Sequence, residues 1–327
     1  MTVLTIRGSA NAGMVSCRGL SAPREHPIGP WLVALGAGLW GTESAWRIPL
    51  NDVFAPDVLV FWEHVILALC ALPLVIPRLG ELRRVHARTV GWLVFSGVAG
   101  SAVGAILFTL ALKSGNPTVV NVVLNVQPLL STTAACLLFG DRLAPGFYRW
   151  AGLAVVAGMV LVGLTPGTDR SIDAGTGYAL LCALCWGMAT VAGRGVMVEM
   201  SLPLAAGLRV IVGLVSMAAI ILVRGETTAA ALWPAAAAVD PGRVVEWLLL
   251  LAILSGGVPL LVYFKGLELT RASTAGYFEM MQTLVAVLIT WIFFGAGLLW
   301  YQVIAAIVLI AAVALVQRAQ QRTALPA

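Results

Sequence analysis

Six ionisable side chains lie inside long apolar stretches of the sequence: Glu43, Arg47, Glu63, His64, Arg209 and Glu279. Such groups are rare within membrane segments, because they cost free energy there, and they usually face the interior of a helix bundle. Burial disfavours the charged form of a carboxylate, which then holds a proton that it can exchange for a cation or pass to water. These residue types therefore point to ion pairing, to coupling with protons or cations, or to both.

Arg47 has two candidate partners, and the sequence leaves the choice open. Glu63 follows the first predicted outer turn by about as many residues as Arg47 precedes it, so the two lie at similar depths. Glu43 lies four residues before Arg47, a spacing that brings side chains to one helix face. Arg209 and Glu279 form a second candidate pair near the cytoplasmic side. Three carboxylates then face two arginines, so one acid is expected to lack a permanent partner: Glu43 if Arg47 pairs with Glu63, and Glu63 if Arg47 pairs with Glu43.

Amide side chains form a stripe in the predicted fourth span. Asn121 and Asn125 are four residues apart and Gln127 lies beside them. Gln282 occupies the corresponding place in the predicted ninth span, near Glu279. Buried amides either join neighbouring helices or bind a substrate, and both interpretations remain open.

Two tryptophans lie well inside predicted spans rather than at their ends. Trp40 and Trp186 are each followed by glycine, and Tyr263 and Tyr277 are further candidates for an aromatic wall with them. Aromatic rings next to carboxylates suit an organic cation through cation–π contact. The alternative is that these rings only fill space between helices.

The elements that position these residues are predicted to be membrane helices. The chain of 327 residues is 60% hydrophobic and 11% charged, with a mean hydropathy of +0.95. Apolar runs of about 20 residues, long enough to cross a bilayer, recur throughout. The sequence predicts an all-α polytopic membrane protein with ten spans, at 30–50, 58–77, 89–110, 117–139, 147–165, 175–194, 203–223, 245–264, 272–294 and 299–317.

The distribution of basic residues predicts the orientation. With the N-terminus in the cytoplasm, fourteen of the 20 Lys and Arg residues fall on the cytoplasmic side and five outside, while Arg209 lies within a span. An even number of spans returns the C-terminus to the cytoplasm. Residues 1–29 are predicted to be a flexible tail and 318–327 a cytoplasmic tail. The net charge of +5 then reflects topology in the cytoplasmic (inner) membrane, not a nucleic-acid partner.

The two halves of the sequence match each other. Trp40-Gly41 corresponds to Trp186-Gly187 at an offset of 146 residues. Gln127 corresponds to Gln282 at an offset of 155. The predicted repeats are residues 30–165 and 175–317, joined by an outer linker at 166–174. Because each has five spans, the second must enter the membrane from the opposite side, an architecture of many secondary transporters.

The segments that carry a family resemblance are ALGAGLWG in the first span, ALLCALCWG in the sixth, and ALKSGNPTVVNVVLNVQPLLSTTAACLLFGDRL around the fourth. Over residues 30–317 the chain resembles the EamA-type members of the drug/metabolite transporter superfamily. The resemblance implies a ten-helix basket with spans one to four and six to nine around a central cavity, and export without an ATPase domain. Glu63, Thr283 and Ala296 depart from the family, which often has Arg, Pro and an acidic residue there.

The function that these features predict is secondary transport of a small organic metabolite or drug-like solute. The surplus of acids and the aromatic rings favour amine-bearing or cationic substrates, and proton coupling remains an alternative. A lipid or lysolipid flippase and a non-transporting scaffold are the competing classes. The sequence contains no H-E-x-x-H, G-x-S-x-G or phosphate-binding loop, so neither an enzyme nor a cofactor is predicted. The expected partners are a small-molecule substrate and the bilayer, and either a monomer or a homodimer fits.

Overall fold

The computed structural model describes seven stretches of the chain, in which no strand occurs: residues 28–139, 145–161, 173–197, 199–233, 239–269, 281–295 and 297–324. Its α-helices are α1 Gly29–Gly41, α2 Glu43–Leu50, α3 Pro56–Val75, α4 Ala87–Ser96, α5 Gly104–Ser114, α6 Pro117–Val123, α7 Gln127–Phe139, α8 Phe147–Leu161, α9 Ala174–Val196, α10 Leu202–Arg224, α11 Ala229–Leu232, α12 Pro241–Leu249, α13 Val258–Glu268, α14 Met281–Phe294 and α15 Trp300–Ala324. The predicted all-helical class is therefore confirmed.

Proline and polar caps determine where several helices begin. Pro56, Pro117 and Pro241 stand in the first turn of α3, α6 and α12. A backbone N–H has no helical partner at that position, so its absence costs nothing. The side chain of Asn116 accepts the backbone N–H of Thr118 at 2.9 Å and caps α6.

Several predicted spans are interrupted rather than continuous. The span predicted at 30–50 divides at Thr42, whose Oγ1 lies 2.8 Å from Oγ of Ser255. Ser255 belongs to a π-helical turn, Leu250–Gly257, between α12 and α13, and a second such turn, Gly97–Val103, joins α4 to α5. Because π turns widen a helix locally and recur at functional sites, these two places are candidates for bound or moving groups.

The described residues are those of a polytopic membrane protein. Five helices within the described ranges are long and apolar enough to cross a bilayer: Pro56–Arg84, Ala87–Ser114, Ala174–Gly193, Leu202–Arg224 and Pro241–Tyr263. Large apolar side chains also face outward, with Leu69 62%, Val223 89% and Phe293 76% exposed. An exposed apolar surface of this kind is stable in lipid and costly in water. The count of ten spans remains a prediction.

Helices of the two predicted halves pack against each other in a regular order. α1 packs against α13 and α14, whereas α9 packs against α5 and α7. α3 pairs with α10, and α8 pairs with α15. In terms of the predicted spans, span one contacts spans eight and nine, and span six contacts spans three and four.

Candidate functional site

The guanidinium of Arg47 in α2 binds both candidate carboxylates at once. Its Nη2 lies 2.5 Å from Oε1 of Glu43 and 2.6 Å from Oε2 of Glu63. Its Nη1 donates to Oγ1 of Thr109 in α5 at 2.8 Å. A guanidinium carries five N–H donors in a planar fork, so it can serve two acids and a hydroxyl together. The expectation that one of these two acids lacks a partner is therefore corrected, since the two candidate pairings of Arg47 coexist.

These four residues, Glu43, Arg47, Glu63 and Thr109, form a buried group that we call the Arg47 cluster. Arg47 is 1% exposed, and the side chains of Glu43 and Glu63 are 16% and 10% exposed. With both acids ionised the cluster carries one net negative charge in a medium of low dielectric constant, which is costly. One shared proton makes the cluster neutral, as in other pairs of close carboxylates. The arrangement can therefore hold and release a single proton.

A second polar group lies beside the cluster, toward α10. His64 follows Glu63 in α3 and is 4% exposed, with its Nδ1 2.9 Å from the carbonyl oxygen of Val60. Nε of Arg209 donates to Oγ of Ser101 in the π turn at 3.2 Å. We call His64, Ser101 and Arg209 the His64 group.

The predicted second ion pair lies only partly within the described residues. Glu279 and Tyr277 are outside them, so neither the Arg209–Glu279 pair nor the place of Tyr277 has a structural counterpart here. Among the described residues, no carboxylate forms an ion pair with Arg209. The pair stays a prediction.

The asparagines of the fourth span join neighbouring helices. Nδ2 of Asn121 donates to Oγ of Ser44 in α2 at 3.1 Å. Oδ1 of Asn125 accepts the hydroxyl of Thr283 in α14 at 2.9 Å. These bonds favour the helix-joining interpretation for both amides, and their role in substrate binding stays a prediction.

The two glutamines of the predicted repeats occupy equivalent contacts. Gly187 packs where an added Cβ would lie 3.3 Å from the carbonyl oxygen of Gln127. Gly41 packs even more tightly on the carbonyl oxygen of Gln282, where an added Cβ would overlap it. At Gly41 only glycine avoids this overlap with the backbone, whereas at Gly187 the fit is tight but leaves more space. The glutamines therefore sit where α1 crosses α14 and α9 crosses α7.

The two inner tryptophans each contact an aromatic ring of another helix. The ring of Trp40 in α1 lies against that of Tyr263 in α13 in a tilted arrangement, with ring centroids 4.9 Å apart and an interplanar angle of 49°. Trp186 in α9 lies 5.4 Å from the ring of Phe108 in α5, and its Nε1 donates to the carbonyl oxygen of Gly100 at 2.9 Å. Both rings therefore contribute to packing between helices, which favours the interpretation that they fill space.

Three polar residues of this centre are absent from the sequence-based candidates. The hydroxyl of Thr109 accepts a hydrogen bond from Arg47, and that of Ser101 accepts one from Arg209. The hydroxyl of Ser255 shares a hydrogen bond with that of Thr42. Each is a hydroxyl in an apolar run, which is common in membrane helices, where the hydroxyl can bond its own backbone. Thr109 also donates to the carbonyl oxygen of Ala105 at 2.7 Å, so sequence gives little sign of its further contact.

Polar contacts also join the two ends of the bundle. At the predicted outer end, Nη1 of Arg224 lies 2.6 Å from Oδ2 of Asp57, joining α10 to α3. At the predicted cytoplasmic end, the carboxylate of Glu199 accepts the backbone N–H of His86 at 2.8 Å. That hydrogen bond holds the pKa of Glu199 below its usual value.

A polytopic helical bundle that encloses a cluster of charges is the arrangement expected of a membrane transport protein. The family model of the EamA-like transporter family matches residues 27–164 and 174–318. The chain belongs to this family, whose members are transporters and not enzymes.

One relative is the riboflavin transporter ImpX of Fusobacterium nucleatum subsp. nucleatum, 25% identical over 194 residues. The match covers 57% of this chain and 64% of that protein, less than two thirds of its length. One solved crystal structure superposes with a TM-score of 0.58 at 17% identity, over 92% of this chain and 100% of the other. At that identity the likeness shows the fold alone.

Proposed function

We propose that this protein is a secondary transporter that exports a small organic solute across the cytoplasmic membrane by alternating access. Membership of a transporter family supplies the class of function. The direction follows from the resemblance to exporters. The observation that carries the mechanism is the Arg47 cluster, in which one arginine binds a buried acid, Glu63, and a partly buried acid, Glu43, between α2, α3 and α5.

The proposed architecture is ten spans in two inverted halves, with both termini in the cytoplasm. The family model matches two segments that divide the chain at the predicted linker. The ring pairs support the same division, because Trp40 and Trp186 differ by 146 residues and their partners Tyr263 and Phe108 by 155. These are the two offsets of the sequence repeat. Reporter fusions on the predicted loops, read separately for each side of the membrane, test the orientation.

Proton coupling is proposed to reside in the Arg47 cluster. Arg47 neutralises one acid, and a proton neutralises the other, so the empty site holds one proton. An amine-bearing or cationic solute can replace that proton without changing the net charge of the cluster. Because the exchange is electrostatically balanced, proton entry and solute exit are linked at one place.

Two substrate classes follow from different observations. The excess of acid over base in the Arg47 cluster favours an amine-bearing or cationic solute. The relative named as a riboflavin transporter favours a flat aromatic solute, for which the rings of Trp40 and Tyr263 offer a stacking surface. Riboflavin and the lipophilic cation tetraphenylphosphonium are the first two probes.

The test is flux in proteoliposomes made from purified protein, with and without an imposed pH gradient. We expect one probe to move, faster when the gradient drives protons against the solute. Glu43→Gln should remove the dependence on the gradient, while the exposed Glu246→Gln serves as the matched control. If Glu43→Gln keeps the rate and the pH dependence of the wild type, the coupling site is wrong.

Experiments with the same vesicles distinguish a transporter from the two competing classes, a flippase and a scaffold. Movement of a fluorescent lysolipid between leaflets, without solute flux, would support a flippase. Vesicles in which neither solute nor lipid moves would support a scaffold.

A further inference from the structure

We propose that residues Ile76–Arg84, together with Arg88, form a binding site for the headgroup of an anionic phospholipid. Ile76–Arg84 is a 3₁₀ helix that continues α3 and ends shortly before α4, and we call it the Ile76 segment. The site shares no residue with the Arg47 cluster, and its lipid binding does not depend on the solute transport proposed above.

The Ile76 segment begins where α3 has already crossed the hydrocarbon of a bilayer. α3 has 20 residues, which span about 30 Å at 1.5 Å per residue, the usual thickness of that hydrocarbon. Beyond α3, Oε2 of Glu81 accepts the backbone N–H of Ser201 at 2.8 Å, and Oε1 accepts the hydroxyl of Ser201 at 2.8 Å. Ser201 directly precedes α10, which is itself long and apolar enough to cross a bilayer. The segment therefore lies at the level of the lipid headgroups rather than farther out in water.

One face of the Ile76 segment carries a line of apolar side chains that point away from the protein. A 3₁₀ helix has three residues per turn, so residues three apart stand in line along it. Ile76, Leu79 and Leu82 form such a line and are 59%, 45% and 37% exposed. Glu81, which holds the start of α10, belongs to a different face. An exposed apolar line at this depth is stable where lipid chains cover it and costly in water.

Three exposed arginines follow the apolar line in the sequence. Arg83 and Arg84 end the Ile76 segment, and Arg88 lies in the first turn of α4. Within the described ranges, no carboxylate forms an ion pair with any of the three. The one acid of the segment, Glu81, is bound to Ser201. The three guanidinium groups can therefore bind an anion from outside the protein.

Two further charged side chains beside the segment bind groups of the protein itself. Nη1 of Arg78 donates to the carbonyl oxygen of Leu74 at 2.8 Å. Glu199, which precedes α10, accepts the backbone N–H of His86 at 2.8 Å and lies 2.9 Å from Nδ1 of its ring. Four arginines thus stand against two acids, so this surface keeps a positive charge. A lipid with a net negative charge complements it.

An anionic phospholipid matches the arginines and the apolar line at once. Its phosphate oxygens accept hydrogen bonds from guanidinium groups, whose planar fork suits phosphate. Its acyl chains cover Ile76, Leu79 and Leu82. A soluble phosphate would bind the arginines but leave the apolar line in water, and a lipid without net charge would leave the positive charge uncompensated. Phosphatidylglycerol is therefore the probe, and phosphatidylcholine is the comparison without net charge.

Native mass spectrometry of the purified protein in uncharged detergent measures the lipid affinity. The wild type should bind phosphatidylglycerol about fivefold or more tightly than phosphatidylcholine. Arg83→Gln with Arg84→Gln should weaken phosphatidylglycerol binding by about tenfold or more and leave phosphatidylcholine binding unchanged. Arg149→Gln with Arg243→Gln, the same change at two exposed arginines of other helices, should bind as the wild type. Equal affinity of the wild type for the two lipids, or an unchanged affinity in the first double variant, would overturn the proposal.

Thermal unfolding in detergent tests whether charge and lipid are both needed. Phosphatidylglycerol should raise the melting temperature, because a ligand that binds only the folded state stabilises it. The rise should shrink between about 0.1 M and 1 M salt, where the Debye length falls from about 10 Å to about 3 Å. Inorganic phosphate should change the melting temperature no more than chloride of equal ionic strength. A rise with phosphate alone would identify a site for soluble anions and would contradict the assignment to lipid.

Thiol labelling in lipid nanodiscs tests the apolar line without changing any charge. Leu79→Cys should react about tenfold more slowly with a membrane-impermeant maleimide than Gly80→Cys, because a thiol in apolar surroundings stays protonated. Position 80 lies on the next face, where no described atom is within 4 Å of an added Cβ. Both rates are measured as the increase over the wild type, which has cysteines of its own. Equal rates, or a faster reaction at position 79, would show that the line faces water and that the lipid site is wrong.

Discussion

Nη2 of Arg47 lies 2.6 Å from Oε2 of Glu63, although sixteen residues and the turn between α2 and α3 separate them. The contact holds two helices together through charges that are almost completely removed from solvent. Breaking such a pair is far more costly than never having formed it, because the remaining charge is left buried. The pair is therefore a sensitive place to test both the fold and the proposed coupling.

Replacement of Arg47 should destabilise the protein strongly. Arg47→Ala leaves Glu43 and Glu63 without their shared cation, and we expect a loss of about 3–5 kcal/mol in the free energy of unfolding. Thermal unfolding in detergent measures the change. Arg149→Ala, at an exposed arginine in α8, should have little effect, and equal melting temperatures for the two variants would contradict the cluster.

Replacement of either acid, Glu43 or Glu63, should destabilise the protein less than replacement of Arg47. Glu43→Gln and Glu63→Gln keep shape and hydrogen bonding but remove a charge that competes for Arg47, so the fold should survive. Each should change the pH dependence of solute flux more than its rate at the optimum. Flux measured between pH 5 and 8 tests this, and a pH profile equal to that of the wild type in both variants would argue against a shared proton.

The bond between Asn125 and Thr283 should contribute a measurable coupling between α14 and the fourth span. Its distance is 2.9 Å and both residues are buried. A double-mutant cycle with Asn125→Ala and Thr283→Ala should give an interaction energy of about 0.6–1.7 kcal/mol, the range of hydrogen bonds between membrane helices. Additive effects would show that the bond contributes nothing.

The glycines at the two crossings should tolerate alanine unequally. An added Cβ overlaps backbone at Gly41 but meets neighbours at 3.3–3.4 Å at Gly187. Gly41→Ala should therefore cost about 1–3 kcal/mol and Gly187→Ala less. Gly193→Ala, with no described atom within 4 Å of the added Cβ, should be neutral or slightly stabilising. Thermal unfolding of the three variants gives the order, and a reversed order would contradict the crossing geometry.

The hydrogen bond between Glu199 and His86 should make the stability of the fold depend on pH in the acid range. The hydrogen bond from the His86 backbone lowers the pKa of Glu199 in the folded protein below 4.5. Its contribution is therefore complete above the unfolded pKa of about 4.3 and is lost as pH falls through the lower folded value. Melting temperatures of Glu199→Gln and the wild type should converge below about pH 4. Glu246→Gln should show no such convergence.

Much of the arrangement can be predicted from residue patterns that are visible in the sequence alone. Long apolar runs predict helices because only helices satisfy the backbone in lipid. The repeated Trp-Gly pair predicts that Trp40 and Trp186 are equivalent, and the structure places each against a ring of another helix. Residues 270–280, which include Glu279 and Tyr277, lie outside the described part, so those predictions remain open.

The sequence by itself determined the class of protein, the helices and the short set of charges that had to be accounted for. It could not determine which acid forms an ion pair with Arg47, because the spacing allows one partner on the same helix, Glu43, and another across the turn, Glu63. Only the tertiary structure brought Glu43, Glu63 and Thr109 to the same guanidinium, and Ser101 to Arg209. The reason is physical. The five N–H donors of a guanidinium and the wider backbone of a π turn cannot be recognised from the pattern of apolar residues. They make these contacts only where helices distant in the sequence come together.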